Sequence, residues 1–180
     1  HTTTLWIGEG ITNYYGVRSV FRAGLWSEPH YLARVAQAVS DLQSRPGRHL
    51  MSVEQSSFDA WFVDRVTLRQ KTNLRNTTIS YYNKGELLGW LLDLEIRSRT
   101  AGRKTLDDVM RLMWRRFWLG PTTSYYLQGH GYTDQDFLRA VNQVSGSDYT
   151  DFFRRYVAGV EELPYDAVVG KVGLLLAEAN

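Results

Sequence analysis

The stretch SYYNKGELLGWLLDLEIRSRT, residues 80–100, predicts one long Leu-rich helix from about residue 78 to residue 98. Successive residues of a helix are turned by about 100°, so every third or fourth residue shares one side. That side carries Tyr82, Glu86, Gly89, Asp93, Ile96 and Arg97. The five leucines of the stretch point in other directions. The sequence therefore predicts a polar stripe along an otherwise apolar helix.

Two interpretations of this stripe remain open from the residues alone. In the first, the phenol of Tyr82 donates a hydrogen bond to an oxyanion that develops on a substrate. In the second, the stripe faces water, and Asp93 and Arg97 form an ordinary i,i+4 ion pair worth a few tenths of a kcal/mol.

The segment TLWIGEGITNYYG, residues 4–16, places one carboxylate, Glu9, between two glycines on a predicted helix. On the helical wheel Glu9 shares its side with Leu5 and Trp6. Gly8 and Gly10 each cost about 1 kcal/mol of helix propensity relative to Ala, which suggests a close approach to the backbone there. A buried carboxylate needs a positive partner, and Zn²⁺ is one candidate. The alternative is a solvated Glu near a helix N-terminus, stabilised by the macrodipole.

The remaining segments also favour helices. Thr105 with Asp108, and Thr133 with Asp136, have the spacing of capping boxes. Further helices are predicted from about residue 27 to 44, within residues 52–66 and within residues 147–159. The polar segment 69–78 is predicted to be an exposed loop, and the tail VVGKVGLLLAE a strand. The sum is an all-α protein of about seven helices, with residues 1–180 as a single helical domain.

Composition excludes several classes of function. The formal net charge of the 180 residues is only +2, so a nucleic-acid partner is not expected. Apolar runs such as LLGWLL are far shorter than the roughly 20 residues of a membrane span, so no membrane partner is expected either. The chain has no Cys, which excludes thiolate nucleophiles and Cys-type zinc sites. The compartment stays open between cytoplasm and periplasm.

Five segments, in this order, resemble the bacterial glycyl aminopeptidase family of zinc metallopeptidases. They are LWIGEGITNYYG, SYYNKGELLGWLLDLEIRSRT, TLDDVMRLMWRRF, GYTDQDFLRAVNQVSG and DFFRRYVAGVEELPYD. The most specific parts are W-x-x-E-G-x-T and S-Y-Y-x-K-G. The resemblance implies the helical C-terminal subdomain of a thermolysin-like (gluzincin) catalytic domain, as a fragment of a larger peptidase. It also implies a peptide substrate with a small N-terminal residue, Gly or Ala.

The resemblance assigns roles to individual residues. It makes Glu9 the third zinc ligand and Tyr82 the phenol that stabilises the transition state. Tyr81 is the reserve choice, because the register could differ by one residue. Zinc is the cofactor that the resemblance implies for the full-length enzyme, where it would activate a water for attack on a peptide carbonyl.

The chain also departs from the family. It contains no His-Glu-x-x-His motif and no PDZ domain. Catalytic zinc sites use three protein ligands, so we expect the isolated chain to bind no zinc and to be inactive. We also expect a cut surface that exposes Trp6 and leads to self-association.

The chain has four histidines, and none of them has a histidine partner four residues away. His30 and His49 are expected at the surface, His1 is native or a tag remnant, and the Gly-flanked His130 is a candidate for a substrate-side role.

The alternative function is a non-catalytic helical module that binds peptides or proteins on a peptidase-like scaffold. A His-Glu-x-x-His motif upstream of His1 in the gene would favour the enzyme over this module.

Overall fold

The computed structural model describes residues 2–62, 73–119 and 131–177, and these residues contain helices and no strand. The predicted all-α class is therefore confirmed. The α-helices in these ranges are α1 (Thr12–Arg22), α2 (Glu28–Gln43), α3 (Val53–Phe58), α4 (Leu74–Thr77), α5 (Tyr81–Arg99), α6 (Leu106–Phe117), α7 (Asp134–Ser145), α8 (Thr150–Phe152) and α9 (Tyr165–Val169). A π-helical segment, Trp6–Ile11, runs directly into α1, and a second, Phe153–Val157, follows α8. Short 3-10 helices lie at Pro46–His49 and Gly170–Val172.

Helix α5 is the centre of the fold. Its N-cap is Ser80, whose side chain accepts a hydrogen bond from the backbone N–H of Asn83, 3.4 Å away. The first π segment and helices α1, α2, α3, α6 and α9 all contact it. Four of its five leucines, Leu87, Leu88, Leu91 and Leu92, are buried and point in several directions, as expected of a helix that other helices surround.

The first π segment crosses α5 at two glycines. A Cβ atom on Gly10 would lie 2.5 Å from the Cα atom of Gly85, and one on Gly85 would lie 2.5 Å from the carbonyl oxygen of Trp6. Neither position therefore has room for a side chain. Gly8, by contrast, faces open space. Of the two glycines beside Glu9, only Gly10 is needed for a close approach, and what it approaches is the backbone of α5.

Trp6 anchors the other side of this segment. Its indole N–H donates a hydrogen bond to Asp134 Oδ1 of α7 at 2.8 Å, and its ring meets Phe137 edge to face, with 5.7 Å between the ring centroids. Its side chain is completely buried. The expectation that Trp6 is exposed was wrong, because α7 covers it. Self-association itself remains a prediction, which now needs another surface.

Several predicted boundaries were also wrong. The first helix continues past residue 16 to Arg22. Residues 69–72 of the predicted loop 69–78 lie outside the described residues, and residues 73–78 contain one helical turn, α4. This turn packs on Pro46–His49, a contact that its polar sequence does not indicate. The tail predicted as a strand, residues 168–178, contains no strand in its described part, 168–177. Its first residues continue the helix that begins at Tyr165, and the chain is helical through Val172, because burying Val168 and Val169 outweighs their β propensity. In the described part of the chain, no helix is long and apolar enough to span a membrane.

Candidate functional site

Glu9 lies in the first π segment, near the crossing with α5. Its side chain is half-buried, and its carboxylate makes no ion pair or hydrogen bond with the described residues. The acids of α5 differ, because Glu86, Asp93 and Glu95 each accept a hydrogen bond from an arginine. The carboxylate oxygens of Glu9 are therefore open to a partner from outside these residues. π-Helical turns within α-helices occur frequently at functional sites, which fits this position.

Tyr81 and Tyr82 are the first two residues of helix α5, and they differ in solvent exposure. Their rings lie 4.6 Å apart between centroids and are tilted by 31°. Tyr81 is buried at 6% exposure, whereas Tyr82 is 38% exposed. A phenol that meets a substrate must reach the surface, so Tyr82 is better placed than Tyr81 for such a role.

The glycine crossing brings the two candidate residues to one place in the fold. A Cβ atom on Gly10, the residue after Glu9, would lie 2.7 Å from the carbonyl oxygen of Tyr81, the residue before Tyr82. Glu9 and Tyr82 are thus each one residue away from the same backbone contact. They are distant in the sequence, and only the close approach of the two helices joins them.

Most of the polar stripe beyond Tyr82 is buried, and Arg97 is its one other partly exposed residue. Glu86 accepts a hydrogen bond from Arg34 of α2 at 3.0 Å, and burial raises its pKa although Arg34 acts in the opposite direction. Asp93 accepts hydrogen bonds from the Tyr14 hydroxyl at 2.7 Å and from Arg97 Nε at 2.8 Å. The interpretation of the whole stripe as a solvated face was therefore wrong, although its Asp93–Arg97 pair is present. After Tyr82, the acidic side chains of the stripe connect α5 to neighbouring helices through hydrogen bonds.

Known proteins are similar to this chain over the segments that contain Glu9 and Tyr82. The family model of the M61 glycyl aminopeptidases matches residues 1–88, a range that includes Glu9, Tyr81 and Tyr82. The resemblance to the glycyl aminopeptidases is confirmed. A solved structure of an aminopeptidase N family protein from Idiomarina loihiensis is similar over 94% of this chain, with a TM-score of 0.80 and 29% identity. The match covers 27% of that solved chain, so this chain spans about a quarter of its length. No curated protein matches.

This chain is therefore related to peptidases. Zinc, the cofactor that the resemblance implies for the full-length enzyme, stays a prediction. A carboxylate oxygen is a normal zinc ligand, so Glu9, partly exposed and unengaged, fits one position of such a site. However, no group of three His, Asp or Glu side chains that could hold a metal occurs in ranges 2–62, 73–119 and 131–177. The described residues therefore do not form a complete three-ligand zinc site by themselves.

The two histidines in the described part of the chain, His30 and His49, do not complete the ligand set. His30 is exposed and lies against Trp26, with 4.7 Å between ring centroids. His49 is also exposed, with its Nδ1 atom 3.5 Å from Glu162. Both were predicted at the surface and are found there. His1 and His130 lie outside the described residues, so the substrate-side role of His130 stays a prediction.

Sequence reasoning missed Lys84, the lysine of the Y-x-K-G motif shared with the glycyl aminopeptidases. Its side chain is only 2% exposed and makes no hydrogen bond or ion pair with the described residues. Burial lowers its pKa to about 8, and the charge of Glu162 offsets only part of this effect. A signal was available, because Lys84 lies off the polar stripe, on the side of the helix that carries Leu87, Leu88 and Leu91.

Proposed function

We propose that this chain acts as part of a zinc-dependent aminopeptidase that releases small N-terminal residues, glycine or alanine, from peptides. The observation that carries the proposal is the family match over residues 1–88, which contains both Glu9 and Tyr82. The glycine crossing supports it, because Glu9 and Tyr82 are each next in sequence to a residue of the contact between Gly10 and the Tyr81 carbonyl.

Each residue has a separate task in this proposal. Glu9 contributes one carboxylate ligand to the zinc, and the remaining ligands come from a His-Glu-x-x-His motif outside this chain. When bound, zinc would polarise the peptide carbonyl and activate a water. Tyr82 donates its phenolic hydrogen bond to the oxyanion that develops on the substrate carbonyl. Burial of Tyr81 behind it limits the directions that the Tyr82 ring can take.

Metal analysis of the longer protein that carries this chain tests the role of Glu9. We expect Glu9→Ala to remove stoichiometric zinc and hydrolysis of glycine p-nitroanilide. Glu28→Ala is the matched control, since Glu28 is an exposed glutamate in the first turn of α2. Zinc content should be measured by mass spectrometry, together with circular dichroism to check the fold. Normal zinc content in Glu9→Ala would exclude the ligand role.

Kinetics test the role of Tyr82 and its register. Tyr82→Phe should retain zinc and lower kcat by about 10²- to 10³-fold, the usual cost of removing one oxyanion donor. Tyr81→Phe should change kcat much less. If Tyr81→Phe has the larger effect, the register assigned from the motif is off by one residue. If neither variant affects turnover, the phenol has no catalytic role.

A further inference from the structure

A cavity of about 550 Å³ lies between helices α1, α2, α5 and the start of α6. Neither Glu9 nor Tyr82 lines it. Asp93, which does, follows Tyr82 by eleven residues, or about 16 Å along the axis of α5. The cavity is therefore a separate feature of the fold, and the proposed function makes no use of it.

The two carboxylates in this cavity already have partners. Asp93 accepts hydrogen bonds from Tyr14 and Arg97, as described above, and its Oδ1 atom accepts one from the backbone N–H of Leu106 at 2.8 Å. Asp107 Oδ1 accepts hydrogen bonds from Arg18 at 2.6 Å and from the Tyr15 hydroxyl at 2.9 Å. Burial alone would raise the pKa of Asp107, but these two bonds and the charges of Arg18 and Arg22 together lower it. The acceptor capacity that remains lies mainly on Asp107 Oδ2, which makes no hydrogen bond with the described residues. Three arginines line the cavity: Arg18, Arg22 and Arg97.

Two of those arginines keep unused donors. Arg22 has its nearest acid, Asp107 Oδ2, at 3.6 Å, which is beyond hydrogen-bond distance, and its side chain is 64% exposed. Arg97 donates through Nε alone, and its terminal nitrogens make no hydrogen bond within the described residues. A guanidinium has five N–H donors in a fixed fork that suits a carboxylate. With three guanidiniums and two carboxylates, the cavity has an excess of positive charge and of donors.

Aromatic side chains also line the cavity. The rings of Phe21 and Tyr31 are stacked, with 4.7 Å between centroids and an angle of 17°, and Trp90 is a third aromatic residue of the lining. We propose that this cavity binds a small organic acid whose carboxylate lies against Arg22 and Arg97. The aromatic wall formed by Phe21, Tyr31 and Trp90 receives the planar apolar body of the same molecule.

The probe that we choose is N-acetyl-L-phenylalanine, which has one carboxylate and one aromatic ring. We expect saturable binding to the 180-residue chain at millimolar concentration or tighter, measured by calorimetry. The indole N–H resonance of Trp90, assigned with Trp90→Phe, should shift on binding. N-acetyl-L-phenylalaninamide, which lacks the charge, and acetate, which lacks the ring, should each bind at least about tenfold more weakly. Equal binding of either compound, or no saturable binding of the probe, would overturn the proposal.

A pair of arginine variants locates the site. Arg22→Gln should weaken binding of the probe about tenfold, which corresponds to about 1.4 kcal/mol. Arg111→Gln is the matched control, since Arg111 is also 64% exposed and lies beside an aspartate of α6, outside the cavity. Arg111→Gln should bind the probe like the unaltered chain. Equal affinity of the two variants would show that the probe binds elsewhere.

Discussion

Lys84 shows how much free energy one side chain can cost this fold. An ammonium group that is buried without an ion pair loses its hydration, and the folded chain regains little of it. Glu162 is the acid whose charge acts on the pKa of Lys84, and its carboxylate already accepts hydrogen bonds from Gln43 and Arg48. A pKa lowered from 10.5 to about 8 corresponds to a penalty of about 3 kcal/mol while the group is charged.

Replacing Lys84 by Met should therefore stabilise the chain. Met has a similar length and no charge, so we expect Lys84→Met to raise the free energy of unfolding at pH 7 by about 3 kcal/mol, measured by urea denaturation. The exposed Lys104→Met is the matched control and should change it by less than about 0.5 kcal/mol.

The pH dependence of the same variants gives a second measurement. Between pH 8 and 10.5 the unfolded chain keeps the proton on Lys84 while the folded chain loses it, so this residue makes stability rise with pH. The difference between Lys84→Met and the unaltered chain should therefore shrink across this range. A constant difference would mean that Lys84 keeps its ordinary pKa.

At the scale of the elements, the sequence predicted what local chemistry determines. The Thr105–Asp108 and Thr133–Asp136 capping boxes begin α6 and α7 as expected. Contacts between distant segments determine the rest. The cover that α7 places over Trp6, the burial of Asp93 and the partner of Gly10 all come from other parts of the chain. The motifs W-x-x-E-G-x-T and S-Y-Y-x-K-G indicated Glu9 and Tyr82 as candidate site residues. They did not indicate that the segments carrying these residues cross at Gly10 and Gly85.

The crossing gives a sharp test at this scale. In Gly10→Ala the new methyl group would overlap the Gly85 backbone and force the first π segment away from α5. We expect this variant to lower the free energy of unfolding by about 2 to 3 kcal/mol. Gly8→Ala adds the same methyl group to the same segment, where it meets open space. This control should be neutral or more stable by up to about 1 kcal/mol. Equal effects of the two changes would contradict the close crossing.

At the scale of the whole molecule, Asp93 connects three helices. It receives hydrogen bonds from Tyr14 of α1, from Arg97 of its own helix and from the backbone N–H of Leu106, the first residue of α6. Arg18 of α1 adds its charge 4.0 Å away. The side chain of Asp93 is only 4% exposed, so solvent screens these interactions weakly. One carboxylate thus holds α1 and α6 in place against the central helix.

Removing the charge of Asp93 should loosen this arrangement. Asp93→Asn keeps the shape of the side chain but leaves Arg97 and Arg18 without its negative charge, and an amide nitrogen cannot accept the bonds that a carboxylate accepts. We expect a loss of about 3 kcal/mol in the free energy of unfolding, measured by urea denaturation at pH 7. Asp151→Asn breaks a pair with Arg154 in which both side chains are mostly exposed, and should cost less than about 1 kcal/mol. If both variants unfold at the same urea concentration, the hydrogen bonds of Asp93 do not hold the three helices together.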